Sequence, residues 1–95
     1  MFDLPPVPDL WRGPPPAQLV EIQRPIEQVG AVCRALGVKT TFAMIYGCST
    51  WARGGCVIVI PQVQGPVTAQ FQARVREHEI AHCNGWPAHH PEKGM

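Results

Sequence analysis

Proline sets the first limits on this chain. Six of its eleven prolines (Pro5, Pro6, Pro8, Pro14, Pro15 and Pro16) fall within the first sixteen residues. Proline has no backbone donor and a fixed φ, so it resists both helix and central strand. Residues 1–16 are therefore expected as an extended, polyproline-like arm, laid along the rest of the chain through Phe2, Leu4, Leu10 and Trp11. The same composition also suits a proline-rich ligand for a partner domain. Folding then falls to residues 17–95, enough for one small domain.

The later prolines and glycines punctuate that domain. Residues 17–24 fit a short helical turn or a strand equally well. Pro25 suits the first turn of a helix, where its missing N–H costs nothing. Ile26, Val29, Val32, Cys33 and Leu36 follow at helical spacing, and Gly37 is a natural stop. Residues 25–36 thus read as a helix backing a sheet. Residues 38–47 are rich in β-branched and aromatic types and read as a strand. Residues 48–55 hold Ser-Thr and Arg-Gly-Gly and read as a loop or hairpin turn, with Trp51 packed over it. Residues 56–60 (Cys-Val-Ile-Val-Ile) read as a second strand, central or covered on both faces, closed by Pro61. A last helix is expected over about 66–83, with Val67, Phe71, Val75, His78 and His82 in one row. The fold class is α+β: a backing helix, a small sheet or hairpin, then a helix that carries the chemistry.

Composition narrows the functional classes. The net charge is +1 and no basic run is present, so nucleic-acid binding has no support. The longest apolar run, 56–60, is far too short for a bilayer, and no membrane partner is expected. The N-terminus has neither a charged n-region nor a continuous h-region, which points to a cytoplasmic protein, with another export route still open. Cys33, Cys48, Cys56 and Cys83 form no C-x-x-C pair. In that compartment they are expected as free thiols packed as small apolar side chains. A Cys48–Cys56 bridge across the hairpin is the competing expectation.

The chemistry concentrates at His78-Glu79-Ile80-Ala81-His82. Residues four apart share a helix face, so His78 and His82 can aim at one point, as two ligands of a Zn2+ ion must. Glu79 stands one step round the helix, within reach of water at that ion, as a general base requires. The bland readings are an ordinary amphipathic helix with two surface histidines, or two core histidines satisfied by hydrogen bonds. Gly85 ends the helix and turns the chain, which can bring Trp86 to His90 back under the metal. Cys83 points about 100° away from His82 and is expected against the sheet rather than on the ion. Trp86 is expected to plug the underside of the metal loop, and Asn84 to cap the helix. Glu92 is a weaker candidate ligand than the two histidines that stand closer.

The H-E-x-x-H motif, a glycine turn and a later histidine resemble the zincin metallopeptidases. His82 to Gly85 is similar to the extended metzincin motif, although that motif's third histidine would fall on Ala88. The stretch from His78 to Trp86, ending in His90-Pro91, also resembles small zincin-like proteins of bacteria and their mobile elements. That likeness implies His90 as third metal ligand, with His89 the alternative. It implies a minimal zincin-like domain in which an edge strand, from 38–47 or 56–60, lies antiparallel to a peptide or protein substrate. It implies zinc-dependent peptide-bond hydrolysis, with Glu79 moving the proton from water to the leaving amine. Tyr46, the only tyrosine, is a candidate helper at the scissile oxygen, or a packing residue. A zinc-stabilised interaction module without catalysis is the other class. A protein partner or self-association would complete the cleft, since so short a chain has little left to build its far wall.

Overall fold

The computed structural model describes residues 4–39 and 45–87. The apolar run at 56–60 becomes the middle of strand β3 (Gly55–Pro61), where Cys56, Ile58, Val59, Ile60 and Pro61 are all buried. Burial on both faces is the reason this strand shows no polar alternation. Two strands flank it. The ambiguous stretch after the arm is strand β1 (Leu19–Arg24), parallel to β3 with Leu19 opposite Cys56 and Arg24 opposite Pro61. The other neighbour is β2 (Cys48–Ala52), antiparallel, with Cys48 opposite Val59 and Ala52 opposite Gly55. Among the described residues, the order β1-β3-β2 leaves β1 and β2 as edges.

Each face of the sheet receives one helix. Helix α1 (Ile26–Ala35) buries Val29 and Cys33 against Cys48 and Val59, with Ile22 and Val32 at the margin. Helix α2 (Ala69–Cys83) buries Phe71, Val75 and Cys83 against Cys56, Ile58 and Ile60. Alternate residues of β3 therefore serve opposite cores, as the period-2 geometry of a strand requires. The α+β class expected from the sequence is what forms. Pro25 stands at the N-cap of α1 rather than inside it. Gly65, at φ +57, turns the chain before α2. Thr68 then caps that helix, its hydroxyl accepting from the Phe71 amide at 3.0 Å. The helix thus begins three residues later than Pro66, because a threonine side chain can satisfy an exposed amide and proline has no such group.

Two expectations need correction. The strand predicted over 38–47 is absent at Val38, Lys39 and Ile45–Gly47, and its middle, 40–44, lies outside the described residues. Cys48–Ala52, expected as loop, form strand β2. Pairing decides this. Arg53 and Gly54 (φ +89) make a two-residue turn, so the ladder runs straight into Cys48–Ala52. Trp51 does not pack over the turn; it is 61% exposed on the β2 edge. The second correction concerns the thiols. All four cysteines are paired, as Cys33–Cys48 and Cys56–Cys83, and Cys48 does not bridge to Cys56. Cys48 faces α1 while Cys56 faces α2, so the sheet itself separates them. Each disulfide fastens one helix to one face.

Loop-closure entropy for separations of 15 and 27 residues corresponds to roughly 3 and 3.5 kcal/mol. Peptide mapping under non-reducing conditions is expected to return these two pairs. Replacing Cys56 and Cys83 together by serine is expected to lower the melting temperature by more than ~10 °C in calorimetry.

Candidate metal centre

Helix α2 presents three faces. Phe71, Val75, Glu79 and Cys83 recur every four residues and look into the sheet. Arg76 lies to one side and pairs with Glu21 of β1, its Nε donating at 2.7 Å and its Nη2 at 3.1 Å. This bond is the main reason that the Glu21 carboxyl is held below its usual range. His78 and His82 lie on the opposite flank, within about 40° of Phe71 around the axis. Phe71 meets the Tyr46 ring edge-on at 5.6 Å, just ahead of β2. The histidine flank is therefore the one beside the β2 edge.

The two imidazoles converge. His78 Nε2 and His82 Nε2 are 3.2 Å apart. Each ring is held from behind by a carbonyl: His78 Nδ1–H donates to Pro5 O at 3.2 Å, and His82 Nδ1–H donates to Trp86 O at 2.7 Å. A carbonyl oxygen can only accept, so both Nδ1 atoms carry the proton. In the neutral rings both Nε2 atoms then present lone pairs to the same point. A proton shared between the two Nε2 atoms or a metal ion held by both would satisfy that arrangement. Two nitrogens on a tetrahedral zinc at its usual bond length stand roughly 3.3–3.4 Å apart, close to the separation observed here. A carbonyl behind each ring is also the usual second contact of a zinc-bound histidine. The two imidazoles supply part of a zinc donor set and not the whole of one.

Trp86 completes the back wall. Its ring stacks on His82 (4.8 Å, 16° between planes) and meets His78 edge-on at 4.9 Å. It is buried with Val7 and Ala81. Gly85, at φ +108, makes the turn that returns Trp86 to the helix, and Trp86 N donates to Ala81 O. Trp86 thus packs against both histidines, while the loop it was expected to plug runs into residues outside the described ones. Asn84 takes the C-cap position expected of it, and its side chain also donates to Pro14 O at 3.0 Å. Burial lowers the His82 pKa, with the Trp86 carbonyl pulling the other way; a neutral imidazole is the form a metal needs.

Glu79 sits apart from this pair. It is 5% exposed, in the seam between α2 and β2. Burial pushes its carboxyl up to about 8, against a hydrogen bond with the Ser49 side chain that acts to lower it. Gly47 explains how the seam closes. A side chain there would strike Val75 Cγ1 (2.7 Å) and Val59 O (2.8 Å), and would stand 3.2 Å from Glu79 Oε2. Sequence reasoning finds Glu79 but misses Ser49, which falls in the 48–55 stretch expected as a loop, and Gly47, whose role depends on the close approach of α2 and β3. Tyr46 is occupied against Phe71, as its packing reading expected.

Among the described residues, no group of three or more His, Cys, Asp or Glu gathers around one point. His89, His90 and Glu92 lie outside the described residues. Cys83 is removed as a ligand by its disulfide. No protein-family profile matches this chain, and neither a curated protein nor a solved structure matches it.

A buried acid of this kind makes stability depend on pH. Between its ordinary value of 4.5 and about 8 the folded chain holds a proton that the unfolded chain has released. The Glu79 contribution therefore weakens as pH rises through that window, by up to about 1.4 kcal/mol per pH unit. His82, with its lowered pKa, acts in the opposite sense, so the comparison must be with a variant. Denaturant unfolding of metal-free protein from pH 5 to 8.5 is expected to show a stability gain for Glu79→Gln that grows with pH.

Proposed function

We propose that this chain is a small zinc-dependent peptidase of the zincin kind. The observation that carries the proposal is the convergence of His78 and His82 Nε2 at 3.2 Å, with each Nδ1 tied to a carbonyl. His78 and His82 are two of the metal ligands. His90 is the proposed third, with His89 the alternative. Zinc, when bound, supplies an electrophile for the scissile carbonyl and acidifies water. Glu79 is the proposed general base, which would take the proton from water and pass it to the leaving amine. Burial keeps its carboxyl protonated near neutral pH in the metal-free chain, so the role requires a bound cation to bring its pKa down. The Glu79 carboxyl lies in the α2–β2 seam, one residue along the helix from His78, and its strongly raised pKa is a perturbation of the kind found at functional sites. The substrate is an extended peptide. Edge strand β2, antiparallel to its neighbour and next to the histidine flank, offers the backbone groups that would align it.

The compartment is part of the proposal. No helix among the described residues is long and apolar enough to cross a membrane. A cytoplasmic location was expected from the N-terminus. Two disulfides that use every cysteine support an oxidising compartment instead.

One observation favours a second reading, a zinc-stabilised interaction module without catalysis. The Glu79 carboxyl is engaged with Ser49 in the helix–strand seam, which is also what a purely structural residue would do. A protein partner or self-association would then be the role of the β2 side. Coordination and hydrolysis separate the two readings. The peptidase reading expects one zinc per chain, X-ray absorption showing three imidazoles and one light oxygen ligand, and cleavage within a peptide library. Glu79→Gln is then expected to abolish cleavage while zinc content is kept. A closed four-ligand protein shell, with no cleavage by the unaltered chain, would establish the module.

A further inference from the structure

The two histidines are held by very different parts of the chain. His82 relies on Trp86, four residues away at the end of its own helix. His78 relies on Pro5, seventy-three residues away in the proline-rich arm. We propose that this arm is a working part of the metal centre, the Pro5 carbonyl being the positioning group that sets the ring and tautomer of His78; the proposal rests on the zinc reading above.

The arm is built to hold that carbonyl still. The Pro5 ring fixes its own φ, and Pro6 restricts the ψ of the residue before it to extended values. The direction of the Pro5 carbonyl is thus nearly set before folding. The peptide between Pro5 and Pro6 also has no N–H to draw the carbonyl into other structure. Apolar anchors bracket it: Leu4 packs against the core under α2, and Val7, 4% exposed, is buried with Ala81 and Trp86. Beyond them, Arg12 Nε donates to Val7 O at 3.0 Å, and the Arg12 guanidinium stands 3.8 Å from Glu77 on α2. Asn84 reaches Pro14 O from the end of the helix.

The chemistry follows from the tautomer. A free neutral imidazole favours its proton on Nε2, the atom that has to bind the metal. An acceptor fixed at Nδ1 reverses that preference and leaves Nε2 bare. The arm therefore does not act as an inhibitory segment laid over the site. Its removal is expected to weaken the site rather than to open it.

The test compares the full chain, a truncation lacking residues 1–6, Val7→Ala, and Leu10→Ala as a control on an exposed arm residue (66% exposed). Zinc affinity is measured by competition with a chelator, and imidazole nitrogen shifts are recorded on metal-free protein. The truncation is expected to bind zinc roughly 10–100-fold more weakly, the range seen when such a second contact is lost. Val7→Ala is expected to show a smaller loss, and Leu10→Ala none. His78 is expected to move from the Nδ1–H to the Nε2–H tautomer on truncation, while His82 stays unchanged, a difference that general loosening would not produce. Should the truncated chain fail to fold, Val7→Ala decides by the same two readouts. Zinc bound equally tightly by all forms, with an unmoved His78 tautomer, overturns the arm proposal and leaves the peptidase reading standing. A full chain that binds no zinc overturns both.

Discussion

The seam between α2 and β3 is the interaction on which the rest depends. Phe71, Val75 and Cys83 meet Cys56, Ile58 and Ile60 there, and the Cys56–Cys83 disulfide closes its far end. Burial of a large apolar side chain contributes roughly 1.5–3 kcal/mol, so a few such residues suffice to fix the rotation of the helix about its axis. That rotation decides the chemistry. With the row through Phe71, Val75 and Cys83 facing the sheet, Glu79 is carried into the seam, and His78 and His82 fall on the β2 flank. A turn of 100°, one residue's worth, would carry His78 and His82 to the centre of the seam and the Glu79 carboxyl out of it.

Polar groups are placed at a cost in this seam. His78 and Glu79 are the buried polar residues among those described. A core built only for stability would use apolar side chains at both positions, since buried polar groups need partners to offset their lost hydration. Here each has found a partner from a different element: the arm for His78, β2 for Glu79. The disulfides, one per face, stabilise a domain whose small core would otherwise be marginal. Rigidity of this kind holds the helix on which two imidazole nitrogens stand 3.2 Å apart.

The arm extends the same logic outside the sheet. Apart from a 3-10 turn at Asp9–Trp11, its described residues form no regular structure, and several of its carbonyls serve other groups. Pro5, Val7 and Pro14 each offer one, to His78, Arg12 and Asn84. A segment that composition alone marks as a loose tail becomes, through these contacts, the outer wall of the histidine pair.

The sequence by itself determined the helices, the central strand and the histidine spacing. These follow from local rules: apolar periodicity for α1 and α2, an unbroken apolar run for β3, and the four-residue repeat that stacks His78 on His82. What only tertiary structure decided is each feature that needs two distant segments. Cys48–Ala52 has weak strand character of its own and becomes β2 because β3 offers it a ladder. Residues 17–24 fitted helix or strand, and pairing with the other edge of β3 chose strand. The cysteine partners depended on which face of the sheet each residue occupies, which no spacing reveals. The Pro5 contact to His78 spans seventy-three residues. Short-range physics acts through the backbone and is written along the chain; these contacts act through space, and only packing around β3 brings their partners together.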